Sequence, residues 1–186
     1  NNDGQTFKAR TKMAITLAGV RNAGVSGPTG IFAIETRNGA GVVIDAGDAP
    51  GVALAGGALP GLVATLENPR AGGNGTITLF FTLPAGLPPG ARMEVHFPAG
   101  FSLNEGGATS VQKGAIAGAD GTASAVVVDQ NVTVLRNNDG KVVPAGTAIA
   151  VTLTNVKSPA TGPGGAIKLE VLDGAGLLIA DGQTGA

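Results

Sequence analysis

Apolar and polar positions alternate from residue 7 to residue 17, near the start of the chain. A period of two is typical of a half-buried strand. The opposite face carries three cations, Lys8, Arg10 and Lys12. The positions that we predict to face a sheet interior are Phe7, Ala9, Thr11, Met13, Ile15 and Leu17.

Short apolar runs separated by Gly, Pro, Asn and Asp continue along the rest of the chain. Examples are the run 76–83 and the alternation over 92–97, and Asn38-Gly39 predicts a hairpin turn. No segment keeps an apolar stripe with a period of 3.6 residues, and frequent Gly and Pro would interrupt one. Many short strands at intervals of about ten residues indicate an all-β fold, a β-sandwich. A closed barrel or a jelly roll is the alternative.

One stretch of sequence occurs twice, at 15–44 and again at 151–179, once Ser26 is left out. Turn residues and apolar positions coincide, which implies one structural unit used twice. The identical pairs are Thr16/Thr152, Leu17/Leu153, Val20/Val156, Gly27/Gly162, Pro28/Pro163, Gly30/Gly165, Glu35/Glu170, Gly39/Gly174, Ala40/Ala175, Gly41/Gly176 and Ile44/Ile179.

The two copies differ in what comes before them. About a hundred residues of strand-like sequence precede the second copy and almost none precede the first. We therefore predict a partial β unit at 1–60, which contains a donor-like strand, and a complete β-sandwich at 61–186. The apolar face of the partial unit must be covered, either by its own chain or by another chain. If each chain adds a strand to the sheet edge of a neighbour, the result is an open, head-to-tail filament. The alternative is an ordinary first strand of an ordinary domain.

Composition narrows the class of protein. The chain of 186 residues is 43% hydrophobic but only 3% aromatic, and it has no Trp or Tyr. A net charge of -1 argues against binding to nucleic acid or anionic lipid. There is no Cys, and no apolar run is long enough to span a bilayer. Because the first residue is Asn and no signal peptide is visible, we expect a mature chain whose leader was removed.

Candidate chemistry is sparse, and we predict a protein that is not an enzyme, with no cofactor and no metal. The single histidine, His96, alternates with core positions and is interpreted as a half-exposed strand residue. Calcium is the one metal that the residue types leave open, through loop acids without an EF-hand pattern. These acids are Asp45, Asp48, Asp120, Asp139, Asp173 and Asp181.

Two glycosylation sequons occur, Asn74-Gly75-Thr76 and Asn131-Val132-Thr133, each where a loop meets a strand. Asn74 and Asn131 are therefore candidates for covalent glycans in a secreted protein. The stretch 158–163 also offers Ser and Thr beside Pro, a setting for O-linked sugar.

Two longer patterns carry a resemblance. They are LPPG at 87–90 with VHFPAGF at 95–101, and VPAGT at 143–147 with VTLTNVKSP at 151–159. These patterns resemble Ig-like β-sandwich repeats of secreted microbial and algal surface proteins, over about residues 62–186. More loosely, the chain is similar to subunits of extracellular filaments assembled by donor-strand insertion. The resemblance implies an extracellular or cell-surface Ig-like module, and it says nothing of catalysis.

We therefore expect a structural subunit of an extracellular fibril or surface assembly, a homo-polymer joined head-to-tail through its N-terminal strand. The first alternative is a monomeric cell-surface module that binds carbohydrate or protein, although its aromatic residues are only six Phe. The second is a capsid-like shell protein, and an enzyme comes last.

Overall fold

The computed structural model describes residues 8, 10–103, 109–161 and 164–185, with the backbone alone for 111–115. These residues form strands and loops, and no helix. The strands are β1 (Gly27–Pro28), β2 (Phe32–Arg37), β3 (Val43–Ala49), β4 (Ala53–Leu54), β5 (Gly57–Ala58), β6 (Val63–Leu66), β7 (Asn74–Thr82), β8 (Arg92–His96), β9 (Ser110–Ala117), β10 (Ala123–Val128), β11 (Asn131–Arg136), β12 (Ala148–Lys157), β13 (Lys168–Leu172) and β14 (Leu178–Gln183).

Strands β5 to β14 form two sheets, which we call the main body. One sheet has six strands in the order β10-β11-β8-β13-β14-β5, and the other has four in the order β6-β7-β12-β9. Every pairing in the two sheets is antiparallel except that of β14 with β5. Both sheets turn alternate apolar side chains inward, as the period of two predicts.

One hydrophobic core lies between these two sheets. Ile77, Leu79 and Leu153 enter it from the four-stranded sheet, and Val95 and Leu169 enter it from the six-stranded sheet, all fully buried. On one side of the core, β9 and β10 contact each other across the two sheets. On the other side, the connection from β5 to β6 contributes buried Leu59 and Leu62.

The connections at one end of the main body are fixed by a fully buried cation, Arg136. Its guanidinium donates to the carboxylate of Asp120 and to the backbone carbonyls of Leu87, Asp120 and Lys141. A buried charge needs such partners, because an unpaired one is costly to desolvate. Asp120 also accepts hydrogen bonds from the backbone N–H of Lys141, so Arg136 ties two turns to β11.

The N-terminal region is built from two separate pairs of strands. β1 pairs with β4, and β2 pairs with β3 in a hairpin. The region is joined to the main body by a hydrogen bond from Ser26 N–H to the Leu178 carbonyl, 2.7 Å long, and by Val25, which packs on the core. We call residues 10–54 the N-terminal unit.

Three sequence predictions differ from the structure in this region. The long strand expected over 7–17 is absent from its described part, since residues 11–18 form no strand. A strand needs a partner for its backbone hydrogen bonds, and no described strand pairs with this segment. The sequence at 55–60, rich in Ala and Gly and ending in Pro, predicts a linker, but the stretch contains β5, which pairs with β14. The sequence predicts a strand over 42–44 and a turn over 46–50, but β3 continues to Ala49 because these residues pair with β2. Most of the other predicted strands agree with the observed ones to within two residues at each end.

Candidate functional site

The repeated sequence forms the same hairpin twice, β2–β3 and β13–β14. In the first turn, Asn38 Oδ1 accepts from the backbone N–H groups of Ala40 and Val42 at 3.0 and 2.9 Å. In the second, Asp173 Oδ1 accepts from the equivalent Ala175 and Leu177 at 2.9 and 2.8 Å.

The closing residues of the two turns also agree. Gly41 and Gly176 both have positive φ, at 82° and 85°, a conformation that favours glycine. Each hairpin has one register shift, after Thr36 in the first and after the equivalent Val171 in the second. The repeat in sequence is therefore a repeat in backbone structure over this hairpin.

Equivalent apolar side chains of the two copies have opposite environments. Leu17 is 74% exposed and its counterpart Leu153 is 0% exposed. At seven equivalent positions, every side chain of the first copy is at least 50% exposed and every side chain of the second copy is at most 4% exposed. The pairs are Met13/Ile149, Ile15/Val151, Leu17/Leu153, Val20/Val156, Phe32/Ile167, Ile34/Leu169 and Ile44/Ile179.

Missing neighbours explain this difference. In the second copy, β12 lies between β7 and β9, β13 pairs with β8, and β14 pairs with β5. In the first copy, the hairpin β2–β3 has no further strand on either edge among the described residues. The first copy therefore presents an apolar sheet face and open edges without the strands that cover them in the second.

An open cleft separates the two layers of the N-terminal unit. It measures about 450 Å³ and lies between the segment that holds Met13 and Ile15 and the hairpin face that holds Ile34 and Thr36. Residues 45–48 form its remaining wall. In the second copy, the segment corresponds to β12 and the hairpin corresponds to β13–β14. There, β12 and the hairpin pack against each other across the core of the main body. The cleft is thus an incompletely filled equivalent of that core.

The predicted donor residues can now be placed. Thr11, Met13, Ile15 and Leu17 are exposed, and two of them line the cleft. Phe7 and Ala9 lie outside the described residues. Nothing in the structure tests their role as a donor strand, which stays a prediction, as does the division into residues 1–60 and 61–186.

Both sequon asparagines are exposed at the first residue of a strand. Asn74 begins β7 and Asn131 begins β11. Asn131 Oδ1 lies 2.7 Å from His96 Nδ1, which leaves its amide nitrogen as the atom for glycan attachment. Whether either residue carries a glycan stays a prediction.

A cluster that the sequence analysis missed lies on the outer face of the six-stranded sheet. Glu94, His96 and Glu170 come from the neighbouring strands β8 and β13, with ligand-type atoms within 4.8 Å of one another. Lys168 holds Glu170 by a hydrogen bond that lowers the pKa of that carboxyl, and Arg92 lies 3.0 Å from Glu94. Because both carboxylates already have cationic partners, the cluster is an ion-pair network. These residues meet only because β8 pairs with β13 in this register, and the sequence alone does not show which strands pair.

Of the acids considered for calcium, Asp120, Asp139 and Asp173 serve turns. The other three, predicted in loops, lie in strands instead, Asp45 and Asp48 in β3 and Asp181 in β14. Asp173 binds backbone N–H groups of its own turn, and Asp139 binds the hydroxyl and N–H of Thr122. The bonds from Thr122 lower the pKa of Asp139, and the backbone N–H of Lys141, with Arg136, lowers that of Asp120. Among the described residues none of these acids belongs to a cluster of three ligands.

Comparisons with known proteins assign no family to this chain. No family model matches the sequence, and no curated protein matches it. The chain is similar to the solved structure of BslA, described as a bacterial hydrophobin, at 18% identity with a TM-score of 0.31. The match covers 66% of this chain and 92% of that one. In the described part of the chain, no helix has the length and apolar character to cross a membrane.

Proposed function

We propose that this chain is a structural subunit of an extracellular fibril or surface assembly, with an Ig-like sandwich as its main body. It polymerises head-to-tail, and its N-terminal unit is completed by β-strands of a neighbouring subunit. The observation that carries the proposal is the exposure, in the first copy, of the apolar positions that the second copy buries.

The exposed side chains offer a driving force of the same order as the cost of association. Burial of a Val, Leu, Ile, Phe or Met side chain is worth about 1.5–3 kcal/mol. Ten such side chains are at least half exposed in the N-terminal unit, and seven of them are the repeat positions whose counterparts are buried. Their burial would contribute on the order of 10 kcal/mol, against an association cost of about 4–15 kcal/mol. Backbone hydrogen bonds from the open strand edges would add to this and give the contact its direction.

Surface glycans are compatible with this proposal. Asn74 and Asn131 are both exposed, and neither lies in the N-terminal unit that would be covered. We therefore propose them as attachment sites that leave assembly intact. Mass spectrometry of the secreted protein before and after glycosidase treatment tests this, and unmodified peptides for both sites would contradict it.

The experiment that tests the function compares the intact chain with Leu17→Asp and the matched control Thr16→Asp. In the alternation along the segment, Leu17 lies on the face whose equivalent positions are buried in the second copy, and Thr16 lies on the opposite face. Light scattering and electron microscopy should show filaments for the intact chain and for Thr16→Asp. The Leu17→Asp variant should stay a folded monomer.

Two results would contradict the proposal. If the intact chain is a monomer at every concentration, the N-terminal unit is not an assembly element, and a monomeric ligand-binding module becomes the better hypothesis. If Leu17→Asp assembles as well as the intact chain does, assembly uses another surface.

A further inference from the structure

The main body has one open side, at β6. β6 is the terminal strand of the four-stranded sheet, and no other described strand pairs with its outer edge. The opposite side is different, because there β9 and β10 contact each other across the two sheets. The other terminal strand on the open side, β5, is only two residues long.

A cleft at this open side leads to the hydrophobic core. It measures about 280 Å³ and is lined by Ala64 and Leu66 of β6, by buried Ile77 and Phe101, and by Ile167 at the start of β13. All of its lining residues belong to the main body. The chain's own N-terminal unit therefore does not fill it.

The N-terminal unit has the complementary shape. One layer is the segment 11–17, the other is the hairpin β2–β3, and the cleft between them is also apolar on the sides of Met13, Ile15 and Ile34. Each of the two regions is thus a pair of layers with an open core between them. An exposed strand edge has unpaired backbone groups that can pair with another chain. An unfilled core lacks the packing contacts that a filled one gains.

We propose that the open side at β6 receives the N-terminal unit of a second copy of this chain. The segment 11–17 extends the four-stranded sheet beyond β6, and the hairpin β2–β3 continues the six-stranded sheet beyond β5. The two clefts then form one continuous core. This inference rests on the proposed function and names its acceptor surface.

The structure excludes the other obvious acceptor position. By the repeat, the segment 11–17 corresponds to β12, which lies between β7 and β9 in the main body. That position is already filled by the chain's own residues 148–157. Addition at an edge needs no strand to leave, so β6 is the vacant place.

Charge supports the orientation of the added strand. The polar face of the segment carries Lys12, and two further cations, Lys8 and Arg10, precede the segment. The outer face of the four-stranded sheet beside β6 carries threonines and the exposed Glu67, next to the exposed apolar pair Val63 and Phe80. A donor strand with its apolar side over the cleft would place Lys12 on the same face as this carboxylate. Opposite charges on neighbouring strands stabilise a sheet.

The first test uses two alanines on edge strands at opposite sides of the main body. Ala64 on β6 and Ala125 on β10 are both partly buried against the core. An inward-pointing charge on an edge strand blocks the addition of another strand. We expect Ala64→Lys to raise the protein concentration needed for assembly at least tenfold, while Ala125→Lys assembles as the intact chain does. Sedimentation measures the assembled fraction, and circular dichroism checks that each variant is folded.

The second test does not depend on a change in the core. Because the chain has no cysteine, single cysteines can be placed without background. Thr16→Cys protein is mixed with Thr65→Cys protein or with the control Ser124→Cys, at exposed positions of β6 and β10. A short bis-maleimide should give a covalent dimer with Thr65→Cys, and at most a tenth as much with Ser124→Cys.

The outcomes separate this inference from the proposed function. If the intact chain never assembles, both fail. If assembly needs Leu17 but Ala64→Lys assembles normally, or cross-linking favours Ser124→Cys, the proposed function stands and the β6 acceptor is wrong. Should Ala64→Lys fail to fold, the cross-linking result decides alone.

Discussion

The two copies of the repeat show how little of a residue's environment is set by its own sequence. Leu17 and Leu153 are the same residue at the same position of the repeat, and one is 74% exposed while the other is fully buried. Their hairpins share turn hydrogen bonds, positive-φ glycines and a register shift. The sequence of the repeat therefore determines its local backbone, and neighbouring strands determine whether its apolar face is buried. Under the proposed function, the unpaired copy is an interface that strands of a neighbouring subunit cover.

The largest difference should come from truncating equivalent apolar residues. Leu153→Ala leaves a cavity in a closed core and should lower the free energy of unfolding by about 2–5 kcal/mol. Leu17→Ala should change it by less than about 0.5 kcal/mol, because the side chain is exposed. Urea denaturation below the concentration of assembly measures both. Equal losses would mean that the N-terminal unit is already packed in the single chain.

Two arginines extend the comparison to charged residues. Arg136 is fully buried and donates to three carbonyls and a carboxylate, whereas Arg37 is exposed and paired with Glu35. Arg136→Met should cost about 3 kcal/mol of stability, since its partners are left unsatisfied. Arg37→Met should cost less than about 1 kcal/mol. Thermal or urea unfolding distinguishes them, and a neutral Arg136→Met would refute the structural role given to this residue.

A smaller effect is expected from the two turns. Asp173→Ala removes the acceptor of two backbone N–H groups in the main body and should cost about 1–2 kcal/mol. Asn38→Ala removes the same two bonds from the N-terminal hairpin. It should leave unfolding of the main body unchanged and weaken assembly alone. A loss of main-body stability in Asn38→Ala would show that the two regions unfold together.

The smallest effect should be a dependence on pH that is confined to the main body. The pKa values of Asp120 and Asp139 are lowered in the folded state, by bonds from Lys141 and Arg136 and from Thr122. A lowered pKa means that these carboxylates stabilise the fold above their unfolded pKa of about 3.9. That stability is lost as the pH falls through the folded pKa.

Urea midpoints measured from pH 7 to pH 3 should therefore fall toward acid. The fall should be shallower in Asp139→Asn, which keeps the size of the side chain and one acceptor oxygen but removes the titrating charge. An unchanged slope in that variant would show that Asp139 contributes nothing to the acid sensitivity.

Sequence patterns predicted well where the turns lie and which face of a strand a side chain occupies. They predicted poorly which strands pair with each other. Asn38-Gly39 marked a real turn, and the alternation over 92–97 marked β8. A period of two, however, assigns a side chain to a face without naming the neighbouring strand. For this reason the alternation over 7–17 predicts a strand that is not observed over 11–17, the composition of 55–60 predicts a linker where β5 lies, and no pattern indicates that Glu94 meets Glu170. Arg136 carries no sequence signal of burial, because its partners are carbonyls of distant turns.

The most direct test of the central claim is amide hydrogen exchange of the intact chain below and above the concentration of assembly. Mass spectrometry should follow the peptides that contain residues 11–17 and 32–37, with β8 as an internal reference. Completion by a second copy predicts that exchange in both N-terminal peptides slows at least a hundredfold on assembly, while β8 is unchanged. Fast exchange of these peptides in assembled material would contradict the account, because their strands would still lack partners.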